Sequence, residues 1–175
     1  MKKKLGKAGQ MALGGTLAAL AVCIMTLGAL IPAATFCCPA FASVLLLPVL
    51  HDCGKRIAWA WYLAVAVLSC LLSPDPEAAA IFVFLGYYPI VRRELHRIRG
   101  KTLRIICKLA YFDLSVSAAY LILLYVVGLE ALLAEVKAAG VWLIVATFCM
   151  GNLTFFLYDA ALARLASLYR RRRYG

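Results

Sequence analysis

Long apolar runs alternate with short clusters of charge along this chain, and the runs have membrane-crossing length. Set against the ~20 residues a spanning helix needs, they predict six transmembrane helices at about residues 10–31, 34–50, 57–72, 77–91, 104–128 and 140–163. Spans two, three and four cover only about 15 to 18 residues each and are short or interrupted. The expected fold is an all-α integral membrane protein: one membrane domain over residues 1–175, a bundle of six transmembrane helices with N- and C-termini cytoplasmic. Within span five, Asp113, Ser117 and Tyr120 recur at i, i+4, i+7 and share a face; within span six, Phe148, Asn152, Phe156 and Asp159 do the same.

Composition agrees with that pattern. The chain is 65% hydrophobic and 15% charged, which excludes a water-soluble enzyme and a disordered chain alike. Its formal charge of +11, from 19 Lys and Arg against 8 Asp and Glu, admits nucleic acid, an anionic membrane or a topology signal, and the distribution decides. With six spans and a cytoplasmic N-terminus, every Lys and Arg except Lys108, within a span, and Lys137, in an outer loop, falls on the inner side. Removing one short span would put a basic cluster outside. The clusters lack the interleaved aromatics that stack bases, so no nucleic-acid partner is expected. MKKK before an apolar run, with Ala40-Phe41-Ala42 beyond, has the outline of a secretion signal. The run from Met11 to Ile31 is too long for one, so a retained first span in a bacterial plasma membrane is expected.

Chemistry is sought first in known signatures. His-Glu-x-x-His, Gly-x-Ser-x-Gly and the Gly-x-x-x-x-Gly-Lys phosphate loop are missing, so neither catalysis nor ATP hydrolysis is expected. The seven cysteines show no metal spacing and read as small apolar side chains, and no cofactor is implied. His51-Asp52-Cys53 carries nucleophile-type residues, but sequence neighbours seldom converge on one reacting atom.

Polar groups at membrane depth are costly and therefore informative. At ~1.5 Å per residue, Asp113 lies about 14 Å from the cytoplasmic end of its span and Asn152 about 18 Å from the outer end of its own. Tyr87 and Tyr88 fall at similar depth. Asp113, Asn152, Tyr87, Tyr88, Ser117 and Tyr120 are accordingly the candidate ligand contacts, an aromatic-lined pocket with a few hydrogen-bonding groups. Lys108 and Asp159 both lie about 6 Å inside the cytoplasmic boundary and are expected to form a structural ion pair. Outside, Asp75, Pro76 and Glu77 form a helix start, and the connections Pro32 to Pro39 and Leu129 to Gly140 could cover a pocket.

The first span carries small residues at helical spacing, Ala8, Ala12, Gly14, Gly15, Ala18 and Ala19, which let another helix approach closely. With six spans, both ends inside, irregular middle spans and polar residues in spans four to six, the chain resembles the substrate-binding S components of energy-coupling-factor (ECF) transporters. Ala8-x-x-x-Ala12 matches that family's Ala-x-x-x-Ala docking pattern; the deeper pairs begin with Gly14 and Gly15. The resemblance implies uptake of a small, vitamin-like micronutrient, a transmembrane coupling subunit docked on helix one, and two cytoplasmic ATPases. Two other readings stand beside it. One is a non-transporting scaffold whose Arg92 to Arg104 loop and Arg170 to Arg173 tail bind anionic lipid or a cytosolic partner. The other is a proton-coupled carrier that uses Asp113.

Overall fold

The computed structural model describes residues 6–28, 35, 37–95, 100–122 and 140–174. They form α1 (Lys7–Gly28), α2 (Cys37–Val44), α3 (Leu46–Asp52), α4 (Lys55–Leu72), α5 (Pro76–Leu85), α6 (Tyr88–Leu95), α7 (Lys101–Ile122) and α8 (Gly140–Tyr174), with no strand among the described residues. By length and composition α1, α4 and the Thr102–Ile122 part of α7 can cross a membrane; the apolar stretch Cys37–Asp52 is shorter. The connections at 32–34 and 129–139 and the far ends of spans one and five lie outside the described residues.

Spans two and four, expected to be short or interrupted, are each broken in two. A proline explains both breaks. Its ring clashes with the carbonyl four residues earlier and offers that carbonyl no N–H. Pro48 removes the bond to Val44, where α2 ends, and Pro89 removes the bond to Leu85, where α5 ends. At the second break the exposed carbonyls find side chains: Tyr62 donates its hydroxyl hydrogen to the Val83 carbonyl, and Tyr111 donates to the Phe84 carbonyl at 3.0 Å. Such partners are needed wherever water cannot supply them.

The remaining ends follow local chemistry. The Asp75 carboxylate accepts from the Glu77 and Ala78 N–H groups at 3.0 and 3.1 Å, and Pro76 occupies the first turn of α5. Between α3 and α4 the chain reverses at Gly54, whose φ of 91° a residue with a Cβ rarely adopts. Span six, expected to stop near 163, continues as helix to Tyr174, because Ala163 to Leu168 are mostly strong helix formers and no Gly or Pro interrupts.

Two apolar clusters organise the packing. The larger joins α1 to α6 through Ala21, Met25, Leu46, Val49, Trp61, Val65, Phe82 and Ile90. The smaller places Phe155 and Leu162 of α8 against Leu47 and Tyr88. Where α1 ends it meets α2 so closely that a Cβ on Gly28 would overlap Cys38 Sγ. Outward faces stay apolar: Leu114, Leu153 and Leu157 are 74%, 57% and 66% exposed.

Candidate functional site

The long α8 meets the rest of the chain along one seam. Phe148, Asn152, Phe155, Asp159, Leu162, Ala166 and Tyr169 alternate at spacings of four and three, the repeat that keeps one stripe against a neighbour. Phe155, rather than the expected Phe156, is the buried member. Polar contacts punctuate this seam. Tyr169 donates to Asp52 of α3 at 2.7 Å, Tyr158 and Ser43 of α2 share a hydroxyl hydrogen bond, Asp159 gathers several donors, and Asn152 reaches α7.

Asp159 accepts from three side chains. Its Oδ2 accepts from Lys108 Nζ at 2.5 Å, and its Oδ1 accepts from Arg92 Nε at 2.6 Å and from the Tyr88 hydroxyl at 2.7 Å. The three charged side chains are 13%, 8% and 15% exposed. Lys108 and Asp159 are thus in contact, joined by two partners that sequence reasoning assigned elsewhere: Arg92 to a basic cluster and Tyr88 to a ligand pocket.

Asp113 and Asn152 are also brought together. Asn152 Nδ2 donates to Asp113 Oδ1 at 2.9 Å and to the Phe148 carbonyl at 3.0 Å. Both neighbours are acceptors, so the amide nitrogen must face them and the oxygen must point away. That oxygen, Asn152 Oδ1, is buried without a hydrogen-bond partner. The Phe112 and Phe155 rings stack beside this pair with centroids 4.8 Å apart.

Of the other four candidate ligand contacts, Tyr87, Tyr88 and Tyr120 pack elsewhere and Ser117 lies near Asp113. Tyr87 belongs to an aromatic group with Trp59, Tyr62 and Tyr111, at centroid distances of 5.7, 5.4 and 5.7 Å. Tyr88 is fully buried and committed to Asp159. Tyr120 donates to Glu77 Oε1 at 2.5 Å, tying α7 to α5. Ser117, half-buried, lies one turn from Asp113 on α7.

The small residues of α1 divide between two faces. Gly14 packs inward, its carbonyl accepting the Trp61 indole N–H at 3.0 Å, and Ala18 packs on the larger core. Ala8, Ala12, Gly15 and Ala19 are exposed, and a Cβ on Gly15 would meet nothing within 4 Å. His51, Asp52 and Cys53 take separate partners: the Leu47 carbonyl, the Tyr169 hydroxyl and the Gln10 carbonyl. Among the described residues no three His, Cys, Asp or Glu side chains could hold a metal ion. Compared with protein-family models, curated proteins and solved structures, the chain matches none.

Proposed function

We propose that this chain crosses a membrane six times, binds a small solute at Asp113 and Asn152, and serves as the substrate-binding subunit for uptake of a vitamin-like micronutrient, energised by partner ATPases. The observation that carries the proposal is the Asp113–Asn152 hydrogen bond, which the six-span reading puts at mid-depth, next to an amide oxygen that has no donor among the described residues. A polar pair so placed is costly unless it has a use.

The topology has separate support, because cross-helix polar contacts join groups that the six-span reading puts on the same side. Lys55 with Glu94 and Asp52 with Tyr169 are both inner pairs. Thr35 with Asp75 and Glu77 with Tyr120 are both outer pairs. The exposed leucines of α7 and α8 suit hydrocarbon, and at the Pro89 break two carbonyls are met by tyrosines.

For docking to a coupling subunit, the exposed Ala8, Ala12, Gly15 and Ala19 face offers the close approach that the resemblance to S components calls for. A scaffold reading draws on a different observation, that Tyr88, Tyr120 and Asp159 all tie helices to one another. A mild-detergent pull-down from the native host, with mass spectrometry of proteins and retained metabolites, separates the two. Two ATPases and a coupling subunit are expected, and the protein alone in several detergents would overturn transport. Asp113→Ala should keep membrane insertion and lose the metabolite.

A further inference from the structure

We infer that the ligand taken at Asp113 and Asn152 is a small cationic amine, with protonated N–H donors on a flat apolar body. This deepens the proposed function and rests on that site being used. Asn152 spends both amide hydrogens, on Asp113 Oδ1 and on the Phe148 carbonyl. What the pair offers an incoming molecule is therefore acceptors alone: a carboxylate and the buried, partnerless Asn152 Oδ1.

Charge points the same way. Among the described residues Asp113 makes no ion pair, while Lys108, five residues earlier on the same helix, is held by Asp159. An anion would meet repulsion here. A neutral ligand without donors would leave Oδ1 unsatisfied, and an alcohol would bring a single hydrogen and no charge. An ammonium or amidinium group brings several donors and the missing positive charge together. Phe112, stacked through one face on the buried Phe155 and itself only half-buried, adds an aromatic ring that attracts a cation and matches a flat body.

The test uses benzylamine, benzyl alcohol and benzoate, alike in shape and size and differing in charge and donors. Each is titrated by ligand-observed NMR against the full chain in nanodiscs at neutral pH. Benzylamine is expected to bind at least about tenfold more tightly than the other two. Asp113→Asn should bring it down to the level of the alcohol. Benzoate or benzyl alcohol binding as well as benzylamine, no benzylamine saturation up to about 10 mM, or unchanged benzylamine binding in Asp113→Asn would each overturn the inference. The ranking on the unaltered protein needs no variant, so a misfolded Asp113→Asn does not spare it. Recovery of ATPases with a failed ranking rejects only the ligand chemistry, whereas an amine preference without ATPases rejects only the transport reading.

Discussion

Asp159 binds three donors from two other helices, and its removal should show how far those helices depend on it. In Asp159→Leu the Lys108 and Arg92 side chains, 8% and 15% exposed, both lose their carboxylate, as does the Tyr88 hydroxyl. Breaking a buried pair in this way costs about 3–5 kcal/mol. Lys108→Met is milder, because Asp159 keeps Arg92 and Tyr88 and one charge-assisted hydrogen bond is lost, about 1.5–3 kcal/mol. In the double variant Lys108 is removed together with the carboxylate it would miss, so its cost should fall short of the summed singles by about 1–3 kcal/mol. Equilibrium unfolding in mixed micelles, followed by tryptophan fluorescence, gives all three values. Additivity within about 0.5 kcal/mol, or a larger loss from Lys108→Met than from Asp159→Leu, would refute the view that one carboxylate holds two buried cations.

Other outcomes follow from single contacts. Gly28→Ala should destabilise by about 1–3 kcal/mol through overlap with Cys38, and Cys38→Gly should recover most of it in the same unfolding assay. Gly15→Leu should leave stability within about 0.5 kcal/mol yet abolish recovery of the coupling subunit, whereas Gly14→Leu should weaken the fold itself by disturbing the Trp61 contact. Burial, and secondarily the Asp52 carboxylate, push the Cys53 thiol up. A raised pKa leaves less thiolate at neutral pH, so maleimide labelling of a variant retaining only Cys53 should rise at higher pH than for a free thiol. Asp52→Asn should shift that profile downward.

Much of this architecture is legible in the sequence because apolar length and charge position are one-dimensional signals. The pairing of Lys108 with Asp159, and of Asp113 with Asn152, also follows from counting residues. What counting misses is phase. Treating 77–91 as one helix points Tyr88 at the ligand; the break imposed by Pro89 re-aims it at Asp159. Two steps of four residues from Phe148 reach Phe156 on span six, but the seam alternates four and three and buries Phe155. In α1 nearly every residue is small or apolar, so the pattern cannot say which small face turns inward. Trp61, far away in sequence, decides that for Gly14.

The broken fourth span has a mechanical consequence. Its first piece, α5, is fastened to α4 and α7 by the Tyr62 and Tyr111 hydroxyls, while its second piece, α6, is fastened to α8 by Tyr88 and Arg92. The stretch Pro76–Leu95 is therefore two pieces held by different neighbours and joined at Gly86 and Tyr87. Because Asp159 and Asn152 tie α8 to α7 as well as to α6, a tilt of α8 would reach α6 directly and α5 by way of α7, the helix that carries Asp113.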